Sequence, residues 1–278
     1  MSSCSPAILL SLAVLLLRTP AAPAQSAPRD SDAPESASEI TLGVESYRAA
    51  RYADAIAHFR RALELDPGSL TAKTYLATAL AQNVVPGLNT PENLQAANAA
   101  IAIFQEVLAE NPHDVNSIKQ IAGIYFSTLR LDDALEWQKK VLAENPRDPE
   151  AAYTIGVIDW TEAHKNVVKA LAAVGMADDG EGNIQAPPLV LETIRTQNAA
   201  LVEEALQYLR QALDNRPDYA DAMAYLNLVY RRKADIDWQD DEARQSDMDA
   251  AQGWAQRSMK TRKADEAKKA SEVQQQPN

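Results

Sequence analysis

The sequence predicts an all-α fold, a helical solenoid of about five helix pairs, and three observations carry that prediction. The peptide Val-Leu-Ala-Glu-Asn-Pro runs from Val107 to Pro112 and again from Val141 to Pro146, a spacing of 34 residues. A unit of that length holds two short helices and two turns, and neither helix buries its apolar face unless neighbouring units stack against it. Small and aromatic residues also recur at set places, first as Leu42-Gly43, then as Ala55-x3-Phe59, Ala62 and the turn Leu65-Asp66-Pro67. The small side chains let two helices approach closely, Phe59 fills the space between them, and Pro67 prevents the second helix from continuing. The stretches that break the period are themselves spaced as helices, with apolar residues three to four apart.

These residues resemble the tetratricopeptide repeat, whose pattern places Leu-Gly/Ala on a first helix, Ala-x3-Phe on a second and Pro at the closing turn. The first unit, about 39–68, carries the match best. The second, about 69–113, opens with Leu76-Ala77 and resumes at Ala100-x3-Phe104, with about 11 residues beyond the period. The third, about 114–147, has Ile121-Ala122, Tyr125, Ala134 and Pro146, with Trp137 one residue ahead of the usual aromatic. The fourth, about 148–218, opens with Ile155-Gly156 and resumes at Ala205-x3-Leu209, Ala212 and Pro217, with about 37 extra residues. The fifth, about 219–262, begins with Ala222, Leu226 and Tyr230 and closes on a capping helix. The resemblance covers roughly residues 39–259, with the solenoid expected over 39–262, and it implies a protein-binding scaffold without naming a partner.

The extra residues fall between the two helices of their units, so they leave from one edge of a regular solenoid. In the second unit Val84 to Asn89 reads as a loop and Thr90-Pro91-Glu92 as a capped helix start. In the fourth, a helix from Glu150 to Val174, a turn from Met176 to Ala186 and a helix from Pro187-Pro188 to Asn215 describe a projecting hairpin. Two fates are expected for it: docking on the lengthened second unit, or presenting a surface to a partner. Its acidic turn lacks the alternating oxygen ligands of a calcium loop.

At the N-terminus, the apolar run Ala7 to Leu17 is too short to span a bilayer and precedes Ala22-Pro23-Ala24, a small-x-small cleavage pattern. The expectation is a signal peptide, 1–24, cleaved after Ala24, and a secreted, periplasmic protein. Arg18 lies on the wrong side of the run for such a signal, and no base precedes the run. The one cysteine, Cys4, would leave with it, which removes disulfides, thiolate metal sites and a cysteine nucleophile from the mature chain. Residues 25–38 read as a disordered linker and 263–278 as a flexible, charged and Gln-rich tail. With 39 acids against 27 bases the net charge is −12. That balance disfavours generic nucleic-acid binding.

In solenoids of the family the first helices line the concave face, where extended peptides bind. The resemblance carries this onto Tyr47, Arg48, Asn116, Lys119, Phe126, Tyr153, Val157, Trp160 and Arg231. Aromatic rings there would give contact area at low entropic cost, while Arg, Lys and Asn would orient a peptide's polar groups. The positions of the family's two-carboxylate clamp hold Ile40 and Val44, which argues against a chaperone-tail receptor. No glycine-rich phosphate loop, nucleophile elbow or zinc spacing is present. Of the three histidines, His58, His113 and His164, each sits in a different unit, and Glu162 and His164, two apart on a helix, point to different faces. The sequence therefore predicts a non-catalytic scaffold without cofactor or metal that binds a protein or extended peptide on its concave surface. The alternatives are an envelope-assembly or secretion subunit working through the hairpin and, more remotely, an enzyme or metal-dependent carrier.

Overall fold

The computed structural model describes residues 32–274, so the expected signal peptide lies outside the described residues. Among these residues ten helices follow in order: α1 (Asp32–Arg48), α2 (Tyr52–Leu65), α3 (Leu70–Ala81), α4 (Pro91–Glu110), α5 (Val115–Ser127), α6 (Leu131–Glu144), α7 (Pro149–Ala172), α8 (Pro188–Asn215), α9 (Ala220–Ile236) and α10 (Asp241–Gln274). Consecutive helices pack in antiparallel pairs and each pair packs on the next, which gives the five-pair solenoid with the hairpin in its fourth pair.

One turn is built four times between units. The N–H groups of Asp66, Asn111, Asn145 and Arg216 bond to the carbonyls of Ala62, Val107, Val141 and Ala212, at 2.8 to 2.9 Å. The next residue is proline in the first three copies and, after Arg216, Pro217 again. The chain re-enters a helix a few residues later, where Ser69, Asp114 and Asp148 accept amides of α3, α5 and α7. Within the first and third units the connection is equally regular. Ala50 and Leu129 take φ of 57° and 58°, and the following amides of Arg51 and Arg130 return to Ser46 and Tyr125 at 2.9 and 3.0 Å. These are left-handed helix caps made without glycine.

Two glycines set the closest helix contacts. A Cβ on Gly43 would lie 2.4 Å from the Phe59 ring, and one on Gly156 would lie 2.6 Å from Leu209 Cγ. Phe59, Phe104 and Leu209 are fully buried at the same place in their units, each side chain burial contributing about 1.5–3 kcal/mol. In the third unit Gln138 takes that place, buried, and Trp137 lies beside it against Tyr125.

Both ends of the described chain are helical. Helix α1 begins inside the expected linker, and Ser36, buried, donates to the Ala62 carbonyl at 3.1 Å. Its small residues allow close packing on α2, although their composition alone reads as a lack of structure. The expected tail is helical through Gln274. Its Ala, Lys and Glu favour a helix even with no buried stripe, and residues 262–272 lie exposed.

The hairpin does not reach α4. Its turn folds onto the extended end of α9 and the start of α10. Asp178 accepts from Arg232 at 3.0 Å, Asn183 donates to Asp235 at 2.8 Å, and the Gly180 carbonyl accepts from Arg231 at 2.7 Å. Trp238 packs on the apolar floor of Val167, Leu171, Leu191 and Ile194. Along its stem, the buried Asn198 donates to the Ala163 carbonyl and accepts from the half-buried Asn166, polar bonds that favour one register of α7 against α8.

Candidate functional site

A cleft of about 370 Å³ opens among α1, α3 and α5, lined by Val44, Tyr47, Arg48, Thr74, Tyr75, Thr78, Asn116 and Gln120. Three consecutive units contribute, so stacking is what makes the site. Tyr75 stacks on the buried Phe59 ring at 5.4 Å yet stays 40% exposed, a firmly backed apolar wall. Tyr47 meets Tyr52 edge-on, and partial burial raises its phenol pKa. Thr74 and Thr78 donate to the carbonyls four residues back, at 2.9 and 2.8 Å, which fixes both side chains. Arg48 is exposed and is the one charged residue of this lining.

The residues expected from the sequence divide into three groups. Tyr47, Arg48 and Asn116 meet in this cleft. Lys119, one turn from Asn116, is held by Asp148 at 2.8 Å. Burial works to raise the Asp148 pKa, but Lys119 and the first amides of α7 outweigh it and hold the carboxyl below its ordinary value. Phe126 packs against the core between the second and third units. The cleft residues not foreseen are Val44 as an apolar wall, Thr74, Tyr75, Thr78 and Gln120. Thr74 and Thr78 occupy the concave rows of the second unit, so the repeat register could have found them; the long loop after α3 hid that register.

At the other end the expected groove residues are used internally. Tyr153 lies 4.9 Å from Tyr219 and 5.6 Å from Tyr225, and Trp160 lies 5.4 Å from Tyr225 with its far side stacked on His164 at 5.1 Å. Burial, foremost, raises the Tyr153 phenol pKa. Val157 is buried, because α7 is covered by α9 along this face. Arg231 is a correction as well: its guanidinium is shared between Asn227 and the Gly180 carbonyl, since the hairpin turn comes to rest on it.

Charged groups beneath that turn form a closed set. Arg232, 4% exposed in its side chain, bridges Asp178 and the fully buried Asp235. Burial pushes the Asp235 carboxyl up to about 7 against the pull of Arg232 and Asn183, whereas for Asp178 the bonds from Arg232 and Asn183 outweigh burial and keep its pKa low. Asp159, Glu162 and His164 do not converge into a metal site: Asp159 is buried, Glu162 pairs with Lys165, and His164 stacks on Trp160. A wider cleft of about 590 Å³ around Trp254, between α8 and α10, has walls of both charge signs: Arg257, Lys260 and Asp265 come from α10, and Asp214 and Asp218 from the end of α8 and the turn after it.

Family models described as tetratricopeptide repeat match residues 40–69 and 94–156. No curated protein matches the sequence significantly. Among solved structures, the chain is similar to MamA 41-end from Desulfovibrio magneticus RS-1, at 14% identity and a TM-score of 0.55, over 86% of this chain and 98% of the other. It is also similar to another MamA crystal structure, at 12% identity and a TM-score of 0.52, over 82% and 92%. YrrB, described as a TPR protein with an unusual peptide-binding site, matches at 15% identity and a TM-score of 0.50, over 81% and 90%. At such identities the likeness speaks for the fold. With the repeat register, the helix pairs and the two matched segments in agreement, the chain folds as a tetratricopeptide-repeat solenoid.

Proposed function

We propose that this protein is a non-catalytic scaffold that holds an extended peptide segment of a partner protein in the cleft between α1, α3 and α5. The observation that carries the reading is the lining of that cleft: a rigidly backed Tyr75, the Tyr47 ring, fixed threonines and the amides of Asn116 and Gln120, open to solvent and contributed by three units. Aromatic walls with a few polar groups suit a peptide, whose side chains need apolar contact and whose backbone needs hydrogen-bond partners. That YrrB, a protein of like fold, has a peptide-binding site supports the reading. The proposal places the mature chain outside the cytoplasm, following the cleavage pattern at Ala24. N-terminal sequencing of the protein recovered from envelope fractions tests that placement, and a chain still beginning at Met1 refutes it.

The test of the groove is parallel affinity capture from an envelope extract by the mature chain and by a Tyr47→Ala/Tyr75→Ala double variant. One partner retained by the first and lost by the second, with both proteins folded by circular dichroism, is the expected result. Equal capture by both removes the groove reading. A second reading rests on the hairpin end, where Val168, Val174, Ile184 and Leu189 are 44%, 44%, 48% and 80% exposed. Under it the protein is an envelope-assembly or secretion subunit, and Leu189→Ser/Ile184→Ser, not the groove variant, loses the partner.

A further inference from the structure

Arg48 and Arg232 occupy the same place in the repeat, six residues after Leu42 and Leu226, which open the pattern in α1 and α9. Their surroundings differ: Arg232 is buried and also pairs at 3.1 Å with Asp235 of its own helix, whereas Arg48 is exposed. Over Arg232 the chain's own turn has been laid down: Asp178 puts a carboxylate oxygen 3.0 Å from its guanidinium, and two residues on, the Gly180 carbonyl takes a 2.7 Å bond from Arg231, the neighbour that corresponds to Tyr47. The turn, Asp178-Asp179-Gly180-Glu181, is thus an acidic segment seated on the last turn of a first helix. Arg48 has the same position and no such cover. It is exposed, it forms no ion pair within 4 Å among the described residues, and the other side chains around its cleft are uncharged.

Resting on the groove reading above, we infer that the α1–α3–α5 cleft selects an internal acidic segment of its partner, with an Asp or Glu side chain on Arg48 and an adjacent apolar or aromatic side chain on Tyr75 and Val44. The chain carries a worked instance of the first half of this contact at its other end. A lone guanidinium among hydroxyls, amides and aromatic rings offers two parallel donors to a carboxylate and would leave a neutral or basic segment without compensation. In the instance at the other end the acidic segment is internal to the chain and presents a side-chain carboxylate, so the segment in the cleft is taken as internal and its carboxylate as that of a side chain. Because the pair forms at an exposed rim, the preference weakens with salt.

The experiment pans a displayed library of random 12-residue peptides, in one arm flanked by linkers at both ends and in the other ending in a free carboxylate. The baits are the mature chain and its Tyr75→Ala, Arg48→Lys and Arg48→Glu variants, each checked for an unchanged melting temperature. The expected result is enrichment of Asp or Glu beside an apolar residue in the flanked arm. Affinity of the selected peptides should fall about tenfold or more in Arg48→Glu, within the range for a charged hydrogen bond, and by a smaller factor in Arg48→Lys, which keeps the charge and loses the parallel pair of donors. The Arg48→Glu bait should select Lys or Arg instead. Peptides that need Tyr75 but show no acidic preference and no response at Arg48 overturn this inference and leave the groove reading standing. Enrichment confined to free carboxyl termini overturns the internal side chain as the source. No enrichment, or peptides indifferent to both Tyr75 and Arg48, overturns the groove reading and this inference together.

Discussion

The two halves of the concave face, α1 to α6 and α7 to α10, put the same helix positions to opposite uses. In the first half the connections within units are tight, except after α3, where Asn93 pins the loop through bonds to Val85 and Leu88, and the facing side chains stand open around a cleft. In the second half the connection between α7 and α8 has grown into a folded turn, and the equivalent side chains are packed: Tyr153 and Trp160 against Tyr225, Arg231 and Arg232 against the turn itself. The lesson is that a repeat position specifies where a side chain points, while the neighbouring connection decides whether anything is left there for a partner.

The strongest way to break this contrast is to remove Arg232. Arg232→Ala leaves Asp235 buried and Asp178 half-paired, and should destabilise the protein by about 3–5 kcal/mol at neutral pH, with protease cutting in the 176–186 turn before global unfolding. Thermal melts and limited proteolysis check both, and an intact turn in the variant would mean that Trp238 and the apolar floor hold it alone. A smaller effect lies at the seam between the halves. Asp159 of α7 is buried, its Oδ2 has no hydrogen-bond partner, and burial, reinforced by Glu204 and opposed by Lys139, pushes its pKa to about 7. The unfolded value is near ~3.9, so this group binds its proton more tightly in the fold. Its stabilising contribution is complete below about pH 4 and is lost as pH rises through 7. Asp159→Asn should therefore melt higher than the parent at pH 8 and lose that advantage by pH 4; parallel melting curves across the range would refute it. The smallest effect belongs to the first half. Leu129 sits at φ 58° and 61% exposed, a conformation costing roughly 1–2 kcal/mol for a residue with a Cβ, offset in part by the greater unfolded-chain freedom of glycine. Leu129→Gly should raise stability by about 0.5 kcal/mol, read as a small rise in melting temperature.

The first half was the more legible in sequence, for physical reasons. Leu42-Gly43, Phe59 and Pro67 each perform a local task that only a few residue types can perform, and so leave a trace at a constant spacing. The hairpin was equally visible as two amphipathic helices with Pro187-Pro188 between them. What it docks on was not: the Asp178, Arg232 and Asp235 contact joins residues 54 and 57 apart in number through a turn whose path no periodicity encodes. The same holds for the groove. Register pointed to Tyr47, Arg48 and Asn116, but whether Tyr153 faced solvent depended on the rings of Tyr219 and Tyr225, and whether Arg231 did depended on the covering turn. At the ends, composition was ambiguous because Ala and Ser signal both disorder and close helix contact, and only the presence of α2 beside Ser36 separates the two.

The turn repeated after Asp66, Asn111, Asn145 and Arg216 has a bearing on how such a chain can change its size. Each copy is closed by its own local bonds, so copying a whole segment between two of them adds a helix pair and creates no foreign junction. Lengthening by duplication, or shortening by deletion, is thus open to the lineage at the second and third pairs, where it would extend or trim the cleft. It is barred beyond Asp148, because the fourth pair and the fifth are tied together by Asp178 and Arg232 and can be inherited only as one piece.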